Sequence, residues 1–246
     1  MTAQVSRALQ VLAPNDMRLI WRDSFLLLII VILPLAGLGF RWLLPYLTGV
    51  LAEWVDLEPY YGLIVASFLV GQQPILLGAV VGILFVEERD EGTLLALQAS
   101  PLSLRNFLGY RLLAGMALSV VLTVIGVSLA GLVTVSLLAL LSAAMVSALT
   151  LPLVALGYAI YIQNKVQAIT AMKPVQSWAI LPALLFFAPT PWQWMGSAFA
   201  PLYYPMRLFC GAAEGAVEWW LVVPGVIVPA LALLWLLSRF ERTVYA

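Results

Sequence analysis

The residues that could do chemistry are few, and most of them stand together in one short stretch. The 246-residue sequence has no histidine and one cysteine, Cys210. It therefore cannot form an intramolecular disulfide, a His/Cys metal site or a histidine-activated nucleophile. It also lacks the GxxxxGK[ST] pattern of a phosphate-binding loop, so we expect neither a catalytic residue nor an ATPase site in this chain. What remains is a cluster of acids followed by leucines: Glu87, Glu88, Asp90, Glu91, Leu94, Leu95 and Leu97.

The composition around this cluster is that of a membrane protein. Hydrophobic residues make up 63% of the chain and charged residues 10%. Soluble domains are about half apolar and about a quarter charged. The formal net charge is zero, which gives no indication of nucleic-acid binding. The elements that position the acidic cluster are therefore expected to be helices that cross a bilayer.

Six apolar segments are candidates for such helices, each of which needs about 20 residues to span the hydrocarbon core. They are residues 25–44, 60–86, 108–133, 138–162, 174–190 and 219–238. The stretch 112–164 carries no charge, and as one helix it would be about 80 Å long, so it must fold back. We expect the hairpin near 135–137. The fifth segment is short for a span.

The basic residues indicate the orientation of the spans. Ten of the twelve fall on one side if six spans are drawn, and an excess of Lys and Arg marks the cytoplasmic side. These ten are Arg7, Arg18, Arg22, Arg89, Arg105, Arg111, Lys165, Lys173, Arg239 and Arg242. The prediction is an all-α membrane protein with six transmembrane helices and both termini cytoplasmic, in a single transmembrane domain over 1–246.

Two regions outside the spans are unusual. Residues 1–24 mix apolar and basic residues at helical spacing, which indicates an amphipathic helix in the cytoplasmic interface; the alternative is a partly disordered tail. Residues 191–218 are rich in aromatics and poor in charges, with Pro201 and Pro205 as breaks. They favour outer re-entrant helices that dip into the outer leaflet, or an aromatic belt with no transport role.

The second span contains its own polar and small-residue motifs. Gln72 and Gln73 precede Pro74, and their amides either line a pathway or form interhelical hydrogen bonds. Gly78 and Gly82 form a GxxxG motif, which packs either inside the chain or against a second subunit. No carboxylate or lysine lies near the middle of any span, which argues against an ion-coupled transporter.

The acidic cluster belongs to a segment, 87–103, that is expected to form a short cytoplasmic helix. Acids at its start suit the helix dipole, Leu94 and Leu97 share a face, and Ser100-Pro101 begins the next helix. Leucines embedded in the interface would be one interpretation, but an anionic leaflet repels the acids. A protein partner with an apolar groove and a basic rim would bind both the leucines and the acids of the segment.

The stretch ERDEGTLLALQASPLS resembles the cytoplasmic signature of ABC-2 type permeases, the membrane subunits of ABC exporters. That signature is approximately E-R-E-x-G-T-L-E-x-L-x-x-T-P-x-S and follows the second of six spans. Asp90 replaces the second Glu, Ser100 replaces Thr, and Leu95 replaces an acid, which makes the surface more apolar. The matching residues are Glu88, Arg89, Gly92, Thr93, Leu94, Leu97, Pro101 and Ser103.

The resemblance implies a multi-pass cell-membrane subunit of an ATP-driven exporter of hydrophobic or amphipathic drugs or lipids. A second permease copy or a paralogue would complete the pathway. A separate ATP-binding subunit would hold ATP and Mg and dock on the coupling helix, 87–103, so this chain needs no cofactor or metal. Lys165–Lys173 would be a second, smaller contact. The implied partner-binding residues are Glu88, Arg89, Asp90, Glu91, Gly92, Thr93, Leu94, Leu97 and Pro101.

Two alternatives stay open at this point. The chain could be a membrane scaffold or assembly factor whose cytoplasmic helix recruits another soluble protein. It could also be an ion-coupled secondary transporter that coordinates its ion with backbone carbonyls. An ATPase encoded next to the chain would favour the exporter.

Overall fold

The computed structural model describes residues 24–90 and 104–244, and within these ranges the regular structure is helical, without strands. Most of the predicted interfacial helix 1–24 and of the coupling helix 87–103 lies outside the described residues. A π-helix, Ala66–Gly71, joins α2 to α3, and short 3₁₀ turns lie at Glu58–Tyr60 and Trp219–Leu221. The α-helices are α1 Ser24–Leu51, α2 Tyr61–Val65, α3 Gln72–Asp90, α4 Leu104–Ala130, α5 Leu137–Ala148, α6 Thr150–Tyr161, α7 Lys165–Trp178, α8 Ile180–Leu185, α9 Thr190–Ser197, α10 Tyr203–Ala213 and α11 Val222–Val244.

Five helical runs in the described ranges are long and apolar enough to cross a membrane. Each overlaps one of the predicted segments, and we keep the numbers of those segments. They are span 1 (Val31–Leu51), span 2 (Glu58–Asp90), span 3 (Phe107–Ala130), span 4 (Leu137–Tyr161) and span 6 (Trp219–Arg239).

The fifth predicted segment, 174–190, does not contain a helix of this kind. The chain there is divided between the end of α7, the six residues of α8 and the start of α9. Pro174 lies within α7. Pro182 follows the break between α7 and α8 and has no N–H for the carbonyl of Trp178, and Pro189 lies between α8 and α9.

Spans 3 and 4 form the expected hairpin, and its turn begins earlier than the predicted position near 135–137. Gly131 ends α4 with φ +58°, a left-handed conformation that glycine adopts without a steric penalty. Five residues later Ser136 caps α5, its Oγ accepting from the backbone N–H of Ala139 at 3.3 Å. A helix-ending glycine and a capping serine therefore define a connection over 131–136.

Span 2 is the most buried of the five spans, and its GxxxG motif explains how it lies against span 4. A methyl group at Gly78 would lie 2.7 Å from the carbonyl oxygen of Leu151, and one at Gly82 would lie 2.5 Å from Cβ of Tyr158. Both distances are too short for any side chain, so α3 and α6 approach to backbone contact. Of the two interpretations of this motif, the structure shows packing inside the chain.

Span 1 lies against span 3 through a second glycine contact and is otherwise largely uncovered. Gly37 packs directly on the backbone of Gly126, leaving no room for a Cβ atom. Large apolar side chains elsewhere on α1, such as Trp42 and Tyr46, are exposed. This distribution is typical of a helix that borders lipid or a second protein.

Candidate functional site

The end of α3 that begins the predicted coupling segment is held against the end of α6 by one arginine. Arg89 donates from Nη1 to the carbonyl oxygen of Ala159 at 3.0 Å, and from Nη2 to those of Ile162 at 2.6 Å and Gln163 at 3.0 Å. The last carbonyls of a helix have no intrahelical donor and carry partial negative charge, so a guanidinium there both caps and complements the helix dipole. Arg89 thus fixes the position of α3 relative to span 4.

Two ion pairs connect the same end of α3 to its other neighbours. Glu87 Oε1 lies 2.6 Å from Nζ of Lys165, the first residue of α7, and Glu88 Oε1 lies 2.5 Å from Nη1 of Arg111 in α4. The Glu88–Arg111 pair is largely buried, whereas the Glu87–Lys165 pair is exposed. Buried ion pairs hold geometry more strictly than exposed ones. The start of the coupling segment is therefore attached to α4, α6 and α7 together.

Arg111 is also stacked between aromatic rings. Its guanidinium carbon lies 5.8 Å from the ring centroid of Phe85 and 5.0 Å from that of Phe107. Cation–π contacts of this kind favour arginine over lysine, because the flat guanidinium can stack and pair with a carboxylate at once. This arrangement was not predicted from sequence, since Phe85, Glu88 and Arg111 become neighbours only when spans 2 and 3 pack.

Three of the predicted partner-binding residues belong to the described ranges. Glu88 and Arg89 are half-buried and use their charges on this chain, and Asp90, the last described residue before the gap, is exposed. The others lie outside the described residues, so their part in partner binding stays a prediction: Glu91, Gly92, Thr93, Leu94, Leu97 and Pro101.

The polar motif in the middle of span 2 contributes one interhelical hydrogen bond, from the backbone of span 3 to Gln73. Gln73 is fully buried. In the amide orientation that satisfies both ends, its nitrogen donates to the carbonyl of Leu69 at 3.0 Å and its oxygen accepts from the backbone N–H of Thr123 at 3.0 Å. The bond with Thr123 favours the interhelical interpretation for Gln73, whereas the bond to Leu69 stays within span 2. Gln72 is half-buried, and a pathway role for it stays a prediction.

Next to this motif, spans 2 and 4 are joined by a hydrogen bond that the sequence did not indicate. Pro74 has no N–H to offer to the carbonyl of Val70, four residues earlier, as a helix would require. Ser147 in span 4 donates its hydroxyl to that carbonyl. A proline that interrupts a buried helix is one signal that a polar side chain from a neighbour is needed.

A second polar cluster, also missed from sequence, lies around α10. Arg207 Nη1 donates to the Tyr203 hydroxyl at 2.8 Å and to Gln193 Oε1 at 2.9 Å, and its Nε lies 3.2 Å from Glu218. Its guanidinium carbon is 5.4 Å from the ring centroid of Trp194. The cluster joins α9, α10 and the start of span 6. One signal was available, because Arg207 and Glu218 are among the few charges in 191–218.

Burial raises the pKa values of two groups on α10. The pKa of the Tyr203 hydroxyl is raised by desolvation, which outweighs the opposing hydrogen bond from Arg207. Burial raises the pKa of the Cys210 thiol to about 12. Both groups are therefore neutral at physiological pH, and Cys210 behaves as a small apolar side chain.

The described residues thus make an all-helical integral membrane protein with a group of ion-paired side chains at the Arg89 end of its most buried span. A comparison with known families identifies it further. The family model "Fluoroquinolones export permease protein Rv2686c-like" matches residues 16–238, and the chain belongs to this family. It is an ABC-2 type permease and a multi-pass protein of the cell membrane, as the resemblance of 88–103 predicted.

Relatives with described functions cover almost the whole chain. The Fluoroquinolones export permease proteins MT2760 and Rv2686c come from two strains of Mycobacterium tuberculosis, CDC 1551 / Oshkosh and ATCC 25618 / H37Rv. Each is 29% identical over 244 residues, which is 98% of this chain and 96% of the relative. No solved structure matches the chain.

Proposed function

We propose that this chain is the transmembrane subunit of an ATP-driven exporter that moves hydrophobic or amphipathic compounds outward. The observation that carries the proposal is the family match over 16–238, which covers the spans and the signature segment alike. Because the two relatives are named as fluoroquinolone export permeases, fluoroquinolones are the first substrate class to test. This chain holds no ATP site of its own in the proposal, and a separate subunit binds ATP and Mg.

The contacts at the end of α3 support two different roles within the coupling segment, positioning of the segment and binding of the partner. Arg89 and Glu88 are engaged by this chain, so we assign them to positioning the segment. In the proposal, the exposed Asp90 and the leucines that follow it do not position the segment. They face the ATP-binding subunit. Leu94 and Leu97 fill an apolar groove there, since buried apolar anchors supply most of the binding energy of such interfaces.

The proposed arrangement in the membrane follows from the basic residues. The end of span 2 that carries Arg89 is cytoplasmic, as are both termini. The chain crosses six times, with α7 and α8 together as the fifth crossing, and α9 and α10 are re-entrant helices on the outer side. The transport pathway forms between this chain and a second permease chain, identical or paralogous.

Co-purification tests the coupling assignment. The full-length chain is isolated from its native membranes, and an ATP-binding protein with a Walker motif is sought by mass spectrometry. We expect Leu94→Asp and Leu97→Asp to abolish its recovery while membrane insertion persists. Ala99→Asp is the matched control, because it adds the same charge to the same segment at a position that helical spacing predicts to lie opposite Leu94 and Leu97. Equal recovery of the ATPase with all three variants would rule out docking through the leucines.

A further inference from the structure

Spans 2, 4 and 6 each have a proline near the middle of the run. The three are Pro74, Pro152 and Pro229, in runs that extend over Glu58–Asp90, Leu137–Tyr161 and Trp219–Arg239. Proline lacks the N–H of the helix ladder and its ring clashes with the carbonyl four residues earlier, so each is a point of reduced bending stiffness. From sequence alone these are three separate kinks.

The regular backbone hydrogen bonding of span 2 is interrupted at several residues before Pro74 as well as at the proline itself. The π-helix Ala66–Gly71 ends with the N–H of Gln72 donating to the carbonyl of Ser67, five residues back instead of four. Ser67 Oγ donates to the carbonyl of Leu63 at 2.6 Å, a bond that bends helices. Further along, the carbonyls of Leu69 and Val70 receive side-chain donors. About two turns of span 2 therefore depart from regular α-helical bonding.

Span 4 is interrupted beside this stretch. Its two helices, α5 and α6, meet at Leu149, whose N–H donates to the carbonyl of Val146, three residues back, at 3.3 Å. Pro152 follows in the first turn of α6, where it has no N–H for the carbonyl of Ala148. The hydrogen bond from Ser147 to Val70 places the two interruptions at the same depth.

Span 6 brings its proline to the same depth. A methyl group at Gly225 would lie 2.7 Å from Cγ1 of Val146, so Gly225 is level with the end of α5. Pro229 lies inside α11, one turn further on. The interruptions of three adjacent spans thus fall within about one helical turn of a common plane.

On the Arg89 side of this plane, spans 2 and 4 form one unit. Gly78 and Gly82 bring α3 into backbone contact with α6, and Arg89 binds the final carbonyls of α6. Residue numbers rise together along these contacts, so the two helices run parallel. We call α3 and α6 together the Arg89 body.

On the other side of the plane, the same spans pack on a different neighbour. A methyl group at Gly71, the last residue of the π-helix in span 2, would lie 3.1 Å from Sδ of Met206 in α10. The first half of span 4, α5, also packs on α10. The halves of spans 2 and 4 therefore belong to differently connected units, with the proline plane between them.

We propose that this plane is a hinge and that the Arg89 body turns about it as one rigid piece, with Arg89 as the positioning residue that holds α3 to α6. The ion pairs of Glu88 with Arg111 and of Glu87 with Lys165 carry the adjoining ends of α4 and α7 with it. A force applied at the coupling segment would then move spans 2 and 4 together. The force that drives the motion is taken from the proposed function, whereas the argument for the hinge itself does not depend on that function. Broken helices at membrane depth are tolerated where neighbours satisfy the freed backbone groups, as Ser147 does here for the carbonyl of Val70.

Distance measurements by pulsed electron spin resonance test the hinge without any ATPase. In a Cys210→Ala background, spin labels replace Leu138 and Tyr161, exposed residues near opposite ends of span 4. In lipid vesicles we expect a broad distance distribution that narrows with Pro152→Ala. Pro34→Ala, inside α1, is the matched control and should not narrow it. Equal widths with and without Pro152, or equal narrowing by Pro34→Ala, would overturn the hinge.

The positioning role of Arg89 is tested with spin labels at Asp90 and Tyr161 in the same Cys210→Ala background. We expect dipolar broadening of the continuous-wave spectrum that is lost with Arg89→Ala and kept with Lys173→Ala. Broadening that survives Arg89→Ala would overturn the positioning role.

A transport assay is the third test of the hinge. With the exporter reconstituted, Pro74→Ala should lower fluoroquinolone transport by about tenfold or more, since gating motions commonly limit turnover, whereas Pro34→Ala should leave it unchanged. Unchanged transport by Pro74→Ala would contradict a working hinge. If the parent protein transports nothing, the proposed function fails, and the two spectroscopic results still decide the hinge.

Discussion

Gly82 in span 2 lies against Tyr158 in span 4 so closely that a methyl group on the glycine would stand 2.5 Å from Cβ of the tyrosine. The obstacle is the base of the tyrosine side chain, which cannot rotate away as the end of a flexible side chain could. Tyr158 itself is buried. Adding even one carbon at Gly82 must therefore push α3 and α6 apart.

Gly82→Ala should consequently destabilise the protein by about 1–3 kcal/mol, the usual cost of overpacking a close contact. Gly157→Ala is the matched control, because it makes the same change on the facing span and nothing lies within 4 Å of its new methyl group. Thermal unfolding of both variants in the same detergent measures the difference. Equal midpoints would show that spans 2 and 4 do not meet at Gly82.

The Arg207 cluster should stabilise the packing of α9, α10 and the start of span 6. Arg207→Ala removes the hydrogen bonds from the guanidinium to Tyr203 and Gln193 and the ion pair with Glu218, and we expect a loss of about 1–3 kcal/mol, the range for hydrogen bonds that involve a charged group. Glu218→Gln should cost about 1 kcal/mol or less, since that ion pair is partly exposed. Thermal unfolding is again the measurement.

Glu214→Gln serves as the control for this cluster, because Glu214 is exposed and carries the same charge on the same segment. It should leave the unfolding midpoint unchanged. A midpoint for Arg207→Ala equal to that of Glu214→Gln would contradict a structural role for the cluster.

Cys210 should resist alkylation at neutral pH. Burial raises its pKa to about 12, and only the thiolate reacts, so a raised pKa lowers the reactive fraction at every pH below it. The labelling rate by a maleimide should still be rising with pH at about pH 10, where an ordinary thiol with a pKa of about 8.5 has already reached its plateau.

Glu214→Cys in a Cys210→Ala background is the comparison for this measurement, since it places a thiol at an exposed position on the same segment. It should be labelled rapidly at pH 7.5. Rapid labelling of native Cys210 at that pH would contradict its burial against its neighbours in the outer segment.

The length and apolarity of the spans made much of the fold predictable from sequence. A charge-free stretch too long for one crossing had to fold back, and it does so between α4 and α5. The turn itself depends on one glycine, Gly131, in a left-handed conformation, and apolar runs do not reveal where such a residue ends a helix. The apolar composition of segment 174–190 predicts a single span, whereas the structure divides the segment between three helices, with Pro182 and Pro189 next to the two breaks.

The candidate site was predictable only in part. The signature residues identified the segment, but the use of Arg89 was not visible, since its acceptors lie 70 to 74 residues away. The same holds for Ser147 and Val70, which are 77 residues apart. Contacts of this kind depend on how helices pack, and helix periodicity carries no information about which polar groups meet across an interface.

The central claim, export driven by a separate ATP-binding subunit, is tested most directly by transport in reconstituted vesicles. The full-length chain and the ATPase recovered with it are placed in inside-out vesicles, and uptake of a fluoroquinolone is followed by its fluorescence. The account predicts uptake that requires Mg-ATP, continues when ion gradients are abolished by ionophores, and is lost with Leu94→Asp but not with Ala99→Asp. Uptake without ATP that follows an imposed ion gradient would contradict it.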